Sequence, residues 1–222
     1  MIKVKICGVQ RLEDALVASE AGADFIGLVF VPGRPRRLAM DKAGDIVDGL
    51  RASGDAVPHV VGLFADQPLD VVNETIRACR LDRAQLCGVE SLDYCLQTEA
   101  GVIKVLHVPG GQPEESVVAD LAERVSAYRE SGHLVTLDRL VAGVPGGTGE
   151  SFDWAVAETL SHSGHSFLLA GGLLPENVAH AVARVKPWGV DVSSGVETDG
   201  RKDPRKIRDF VRSARQQSEN GY

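Results

Sequence analysis

Eight short apolar runs alternate with longer amphipathic segments along this chain of 222 residues, and no other feature constrains its fold as strongly. Continuous apolar strands that are separated by helices indicate a parallel sheet with both faces buried. The runs cover Val4–Gly8, Phe25–Phe30, Val60–Phe64, Ala84–Gly88, Val102–Val108, Leu134–Leu137, Phe167–Ala170 and Val190–Val192. Two of the segments between them carry helically spaced sets, namely Val71, Val72, Ile76 and Cys79, and Val117, Leu121, Val125 and Tyr128.

Eight strands, each followed by a helix, predict one parallel α/β domain over residues 1–222, closed as a (β/α)8 TIM barrel. Such barrels commonly have about 200 to 250 residues. An open doubly wound sheet is the alternative. The chain after the first run reads Cys7-Gly8-Val9-Gln10-Arg11, without the glycine-rich turn that binds dinucleotides in that fold. No linker divides the chain, and residues 216–222 are expected to form a frayed polar tail.

The composition argues against several kinds of partner. The net charge is −7, from 24 basic and 31 acidic residues, whereas nonspecific nucleic-acid binding needs a basic surface. No run of about 18 apolar residues occurs, so we expect no membrane span. The amino terminus lacks a basic stretch followed by a long apolar one, which predicts a cytoplasmic protein. The four cysteines show no CxxC spacing and are expected to be free thiols.

Cys7 stands near the carboxyl end of the first run, in the sequence Lys5-Ile6-Cys7-Gly8. The carboxyl ends of parallel strands form the mouth of a barrel, which is where such folds place their chemistry. Position alone leaves two interpretations open: a buried small apolar residue, or a general base or nucleophile.

Asp138 directly follows the sixth run, and a glycine-rich loop comes next instead of a helix. A carboxyl group at the barrel mouth is a candidate general acid, because partial burial would raise its pKa and retain a proton near neutral pH. The other interpretation is a hydrogen bond that organises the loop. Strands one and six lie on nearly opposite sides of an eight-strand ring. Cys7 and Asp138 are therefore expected to flank a small substrate and to act on different atoms of it.

Glycines and serines follow the seventh and eighth runs, where TIM barrels usually bind phosphate. Glycine lets backbone amides approach an anion closely, and serine adds hydroxyl donors. A pair of tight turns is the alternative interpretation. The predicted phosphate-binding residues are Gly171, Gly172, Asp191, Ser193, Ser194 and Gly195.

Two further loops are expected at the mouth. Arg36 lies in the loop after the second run, where a forked guanidinium would suit a substrate carboxylate, although a solvated charge is also compatible with the sequence. The loop after the sixth run contains Gly146, Gly147, Thr148 and Gly149, a composition typical of a mobile lid. His107 and His133 lack metal-ligand spacing and are interpreted as structural, so no metal site is expected.

The motifs of this chain, taken in order, resemble those of the phosphoribosylanthranilate isomerase family, a group of (β/α)8 enzymes of tryptophan biosynthesis. Each motif alone is weak, but the ordered set extends over nearly the whole chain. The matching motifs include Lys5-Ile6-Cys7-Gly8, Gly22-Ala23-Asp24, Val61-Gly62-Leu63-Phe64, Leu137-Asp138, Gly146-Gly147-Thr148-Gly149, Leu169-Ala170-Gly171-Gly172-Leu173 and the run Gly189–Glu197.

The resemblance implies an Amadori rearrangement of N-(5′-phosphoribosyl)anthranilate to 1-(2-carboxyphenylamino)-1-deoxyribulose 5-phosphate. It implies that Cys7 is the general base, Asp138 the general acid and Arg36 the ligand of the anthranilate carboxylate. The backbone near Gly172 and Ser193 would hold the phosphate, and neither cofactor nor metal would be needed. The base would require a lowered thiol pKa, because an ordinary thiol with a pKa of about 8.5 is mostly protonated at neutral pH.

Three positions depart from the family pattern. Cys87 occupies a position that is usually histidine, Glu150 one that is usually lysine, and Arg34 one that is usually serine. Cys87 and Glu150 are expected near the mouth, so the departures leave room for reduced activity or a shifted substrate range.

Other functions remain compatible with parts of the sequence. The related histidine-pathway aminoaldose isomerase would need two catalytic aspartates and two phosphate cradles, whereas the first run here ends in Cys7. A dual-substrate isomerase meets the same objection. An inactive barrel that binds a phosphorylated metabolite would not need both Cys7 and Asp138. The expected partner is a small phosphorylated substrate, and the sequence leaves monomer and homodimer open.

Overall fold

The computed structural model describes residues 1–54, 57–109, 114–139 and 154–219. Its strands form one closed barrel in which each strand is hydrogen-bonded to the next and the eighth pairs with the first. Every pair of barrel strands is parallel. The predicted (β/α)8 barrel is thus confirmed. The strands are β1 (Lys3–Cys7), β2 (Phe25–Val29), β3 (His59–Phe64), β4 (Arg83–Leu86), β5 (Gly101–Val108), β6 (Leu134–Arg139), β7 (Leu168–Leu169) and β8 (Gly189–Val192).

Helices follow the strands and surround the barrel. They are α1 (Leu12–Glu20), α2 (Met40–Ala52), α3 (Leu69–Cys79), α4 (Leu92–Leu96), α5 (Glu114–Glu130), α6 (Trp154–His162), α7 (Val178–Val185) and α8 (Pro204–Glu219). Between β8 and α8 lie a 3₁₀ turn (Ser194–Val196) and a hairpin of β9 (Glu197–Thr198) and β10 (Arg201–Lys202), which the apolar pattern did not predict. Within the described ranges, no helix has the length and apolar character needed to cross a membrane.

Side chains alternate between the helices and the barrel interior along each strand. Val4 and Ile6 of β1 are fully buried in the large core that includes the surrounding helices. Lys5 lies on the opposite, inner face of β1, and its register partner on β2 is Phe25. Phe25 belongs to an apolar cluster that fills the barrel near the amino ends of the strands. Cys7 shares this inner face with Lys5. The cluster, called the apolar plug below, consists of Phe25, Val61, Ile103 and Leu168, with Leu134 and Trp188 packed against it.

The predicted helix faces are confirmed in α5 and partly wrong in α3. Val117, Leu121 and Val125 are buried along α5. In α3 the side chain of Val71 is 41% exposed, because the buried face follows Val72 and its helically spaced neighbours instead.

The carboxyl-terminal helix α8 extends further than the sequence predicted. It ends at Glu219 and so includes residues 216–219 of the predicted tail, whose fraying stays a prediction. Ile207, Phe210 and Val211 of this helix are buried against the barrel, and Arg215 donates a hydrogen bond to the carbonyl of Gly22. Residues 220–222 lie outside the described part of the chain.

Candidate active site

Cys7 ends β1 at the barrel mouth and is 7% exposed. Its side chain belongs to a small apolar cluster with Val29 and Leu63, against which Cys87 also packs. Gly27 of the neighbouring strand makes room for it, since a Cβ atom there would lie 3.0 Å from the Cys7 sulfur. The thiol therefore occupies a tight, largely apolar wall of the mouth.

Lys5 lies two residues before Cys7 on the same inner face and is fully buried. Its ammonium Nζ donates a hydrogen bond of 2.8 Å to Oδ2 of Asp191 on β8. Burial lowers the pKa of Lys5, but the Asp191 carboxylate and the Cys7 sulfur together more than offset this, so the pKa is raised and the ammonium stays charged. A buried ion pair thus lies close to the thiol on the inner wall.

The expected lowering of the Cys7 pKa is wrong for this structure. Burial raises the pKa of the thiol above its ordinary value. The ammonium groups of Lys5 and Lys202 favour the thiolate and oppose burial, whereas the carboxylate of Asp191 adds to it. Burial wins, so the structure favours the protonated thiol while keeping two cations nearby that stabilise its anion.

Asp138 is the penultimate residue of β6, which extends to Arg139, two residues beyond the predicted strand. Alternation along β6 places Asp138 on the same inner face as Thr136, because Val135 and Leu137 face the helix-side core. It is half-buried and lies directly opposite His107 on β5. The structure therefore brings Cys7 and Asp138 to the inner wall of one mouth, on β1 and β6.

His107 also belongs to this wall, although the sequence suggested only a structural role. Its Nε2 atom lies 3.3 Å from the carbonyl oxygen of Cys87. Its Nδ1 atom is buried and has no hydrogen-bond partner among the described residues. The register of β5 and β6 makes His107 the partner of Asp138, so both side chains point to the inner face. That pairing was the signal that could have identified His107 as a residue of the mouth.

Cys87 follows β4, and its side chain reaches the wall next to Cys7. Gln85 Nε2 lies 3.7 Å from the Cys87 sulfur. Burial raises the pKa of Cys87 to about 12, so this thiol stays protonated. Cys87, one of the three residues that depart from the family pattern, therefore contributes an uncharged thiol to the mouth. All four cysteines of the chain are free thiols, as predicted.

The side chain of Arg36 packs against the backbone of Gly8, the residue that follows Cys7. A Cβ atom on Gly8 would lie 2.5 Å from Cδ of Arg36, and Gly8 has φ +74°. The Arg36 guanidinium makes a two-pronged contact with Glu197, from Nε to Oε1 at 2.7 Å and from Nη2 to Oε2 at 2.6 Å. Lys202 Nζ adds a third hydrogen bond to Glu197 Oε1 at 2.6 Å. The sequence indicated Arg36 but not this carboxylate or Lys202.

The predicted phosphate loops meet at the same end of the barrel. Gly171 and Gly172 both have positive φ, 92° and 68°. In the described part of the chain the amide nitrogens of Gly172 and Leu173 donate no hydrogen bond. Gly195 packs so closely on the carbonyl of Leu173 that no larger residue fits there. Two loops that carry unengaged amides and small residues therefore lie side by side.

Asp191, one of the predicted phosphate ligands, has a charged partner of its own. Its carboxylate is committed to Lys5, and a negative charge at this place repels a phosphate. The glycine-rich segment of Gly146, Gly147, Thr148 and Gly149, together with Glu150, lies outside the described residues. Among the residues that are described, no group of three or more histidine, cysteine or acidic side chains is arranged to hold a metal ion.

Two cavities mark the two ends of the barrel. One of about 230 Å³ is lined by Gly8, Glu197 and Lys202, among others. The other, of about 470 Å³, lies at the amino ends and is lined by residues that include Phe25 and Trp188. The smaller cavity is lined by neither Cys7, Asp138 nor Arg36, so we place the candidate site at the barrel mouth itself, where the carboxyl ends of β1 and β6 and the two predicted phosphate loops meet.

The closed parallel barrel and the polar groups at its mouth define a TIM-barrel protein with a candidate active site at the carboxyl ends of the strands. Residues 4–213 match the sequence model of the family described as N-(5′phosphoribosyl)anthranilate (PRA) isomerase. The chain belongs to this family, and it is therefore an isomerase of tryptophan biosynthesis.

Individual relatives agree with the family assignment over almost the whole chain. An N-(5′-phosphoribosyl)anthranilate isomerase from a Geobacter species is 47% identical over 219 residues, which are 98% of this chain and 100% of that relative. The crystal structure of the isomerase from Thermotoga maritima has a TM-score of 0.83 and 33% identity, with 97% of this chain and 100% of that chain covered. A further phosphoribosyl anthranilate isomerase structure, with a TM-score of 0.79 and 32% identity, covers 97% of this chain and 100% of its own. That structure is a complex with reduced 1-(o-carboxyphenylamino)-1-deoxyribulose 5-phosphate.

Proposed function

We propose that this chain converts N-(5′-phosphoribosyl)anthranilate to 1-(2-carboxyphenylamino)-1-deoxyribulose 5-phosphate by an Amadori rearrangement, with Asp138 as general acid and Cys7 as general base. The observation that carries the proposal is the position of both side chains on the inner wall of one barrel mouth, on β1 and β6. Family membership supports the reaction class, and the different surroundings of the two residues support the division of roles.

The first step opens the ribose ring. Asp138 donates its proton to the ring oxygen, and the bond between that oxygen and C1′ breaks. The lone pair of the anthranilate nitrogen forms a double bond to C1′, which gives a protonated Schiff base. A general acid in this position accelerates the step because the leaving oxygen does not have to depart as an alkoxide.

The second step moves a proton away from C2′. The Cys7 thiolate removes this proton, and the electrons of the C–H bond form a double bond between C1′ and C2′ while the nitrogen recovers its lone pair. The resulting enolamine tautomerises: C1′ gains a proton and the C2′ hydroxyl becomes a ketone. Substrate and product contain the same atoms, so the reaction is balanced without a co-reactant.

The raised pKa of Cys7 fits this order of steps. The positive charge of the Schiff base acidifies the C2′ proton, so the base is needed only after the ring has opened. The ammonium of Lys5 stabilises the thiolate throughout, because its own pairing with Asp191 keeps it charged. Protonated cysteine would be unreactive as a base, and we therefore expect activity to rise with pH through the neutral range.

Two groups of contacts would hold the substrate. Arg36 binds the anthranilate carboxylate, and the backbone near Gly172, Ser193 and Ser194 binds the phosphate. The unengaged amides of the β7 loop support the second assignment. Because the Asp191 side chain pairs with Lys5, we assign any phosphate contact at that position to the backbone. The ligand in one solved relative, which carries both a carboxyphenyl group and a phosphate, supports this substrate class.

The test follows the fluorescence of freshly made N-(5′-phosphoribosyl)anthranilate after the purified protein is added. The wild type should remove the signal rapidly, whereas Cys7→Ser and Asp138→Asn should lose about a hundredfold or more of the turnover. Cys79→Ser, which changes a buried free thiol on α3, is the matched control and should keep wild-type turnover. Wild-type decay at the spontaneous rate would refute the proposed reaction, and the histidine-pathway aminoaldose would then be tested as substrate.

A further inference from the structure

We propose that Glu197 is a positioning residue, which fixes the edge of the Arg36 guanidinium that faces the carboxylate of the substrate. The inference rests on the proposed function, because it takes the anthranilate carboxylate as the partner of Arg36. Glu197, in the β9–β10 hairpin, would thereby set the orientation in which Arg36 binds the substrate carboxylate.

The hydrogen bonds leave a defined part of Arg36 free to bind. A guanidinium carries five N–H donors, which form two forks that each match a carboxylate. Glu197 takes the side fork, with Nε donating to Oε1 and Nη2 to Oε2. The fork that remains is the end of the group, formed by Nη1 and the outer N–H of Nη2. A substrate carboxylate would therefore meet Arg36 end-on.

The side chain of Glu197 is itself held in place by burial and by Lys202. It is only 6% exposed on its side chain, and its Oε1 atom accepts a hydrogen bond from Lys202. Lys202 is also buried and donates a second hydrogen bond, of 2.9 Å, to the carbonyl of Ser193. The contacts from Arg36 through Glu197 and Lys202 to Ser193 connect the loop after β2 with the loop after β8. The guanidinium is thus fixed relative to the proposed phosphate loop.

The hairpin turn explains why Lys202 lies beside Glu197. Asp199 and Gly200 occupy its two turn positions with φ of 51° and 73°, which is the pattern of a two-residue turn that favours Asp-Gly. This turn sets the register in which Glu197 pairs directly with Lys202, so the two side chains share one face.

The charges make the inference sharply testable. Hydrogen bonds from Arg36 and Lys202 outweigh the effect of burial and lower the pKa of Glu197, so the carboxylate is ionised. Two cations and one anion leave the cluster with one positive charge. If Glu197 acted only through its charge, its removal would strengthen the attraction for an anionic substrate. If it positions Arg36, its removal weakens binding of that same substrate.

The experiment measures calorimetric binding of two product analogues, reduced 1-(o-carboxyphenylamino)-1-deoxyribulose 5-phosphate and its counterpart without the carboxylate. Glu197→Gln should weaken binding of the first about tenfold and of the second less than about twofold. In an Arg36→Ala background, Glu197→Gln should cause no further loss for either analogue. If Glu197→Gln does not fold, Glu197→Asp replaces it in the experiment. This variant keeps the charge but shortens the side chain, and it should weaken binding of the carboxylate analogue less than about tenfold but more than it weakens binding of the other.

Three results would overturn the proposal. These are tighter binding of the carboxylate analogue, equal weakening of both analogues, and an undiminished effect in the Arg36→Ala background. In turnover, Glu197→Gln should raise KM for the substrate while kcat stays within about threefold. Failure of the proposed function looks different, because wild-type protein would then show no turnover, or would bind the two analogues equally well.

Discussion

The two ends of this barrel are built from the same strands but differ in what fills them. At the amino ends, the apolar plug contains Phe25 and Val61 and is closed by Trp188. At the carboxyl ends, the inner wall carries Cys7 and the buried pair of Lys5 and Asp191. Phe25 and Lys5 are register partners on adjacent strands, so the apolar plug and the charged wall meet at this pair.

The energetic contributions of the two ends differ as well. Truncating a buried aromatic side chain such as Phe25 costs about 3 to 5 kcal/mol of folding free energy. Buried ion pairs such as Lys5–Asp191 add little net stability, since desolvation of both charges offsets most of their attraction. The amino end therefore stabilises the barrel, and the carboxyl end retains its charges for function.

The largest effect on turnover in this comparison is expected at Lys5. Lys5→Met removes the main group that favours the Cys7 thiolate, so turnover at neutral pH should fall about tenfold or more. Since the proposed base is the thiolate and the pKa of the thiol rises further in the variant, the rising limb of the pH–rate profile should move to higher pH. The measurement is turnover across pH, with the rate of iodoacetamide reaction at Cys7 as an independent reading of thiolate formation.

Lys3 provides the matched control for this variant. It lies on the same strand and face but pairs with Asp24 at the amino end and is 44% exposed. Lys3→Met should change neither the pH–rate profile of turnover nor the pH dependence of the iodoacetamide reaction at Cys7. If the two lysine variants shift the profiles equally, or if Lys5→Met shifts neither, then the Lys5 ammonium does not control the thiol.

The smallest effect on turnover is expected in the apolar plug. Phe25→Ala should lower the free energy of unfolding by about 3 to 5 kcal/mol in urea titrations. The folded fraction should keep kcat within about twofold, because the plug lies away from the reacting groups. A large loss of kcat in fully folded Phe25→Ala protein would show that packing and chemistry are not separated along the strands.

The sequence predicted the barrel because its signal is local. Each apolar run and each helical face can be recognised within a few residues, and strand order follows once the ring closes. Val71 was misplaced because it lies one residue, or about 100°, from the true face of α3. The extent of α8 was missed because its last turn is polar and offers no apolar periodicity.

The electrostatic half of the site was not predictable in the same way. Lys5 and Asp191 are 186 positions apart, and Arg36 and Glu197 are 161 apart, so only the closed barrel brings each pair together. A lysine within an apolar strand was the available signal, but it is ambiguous. Lys104 is also a buried strand lysine, yet it pairs with Glu90 at 2.5 Å and holds the β4 loop.

The thiol pKa was misjudged for a related reason. The lowered pKa was expected because the resemblance implies that Cys7 is a general base, although the sequence identifies no group that lowers it. Nor does the sequence show how deeply Val29 and Leu63 bury the thiol, and in the structure burial is the larger effect. Burial depth depends on the whole barrel, whereas the neighbouring charge lies within one strand.

The most direct test of the account is a kinetic isotope effect with substrate deuterated at C2′, compared between wild type, Cys7→Ser and Asp138→Asn. If Cys7 removes the C2′ proton, the isotope effect on kcat/KM should increase in Cys7→Ser, because proton removal becomes fully rate-limiting. If Asp138 opens the ring, the isotope effect should approach one in Asp138→Asn, because the earlier step then limits the rate. The reverse pattern, or the same isotope effect in both variants, would contradict the assignment of Cys7 and Asp138 to separate steps.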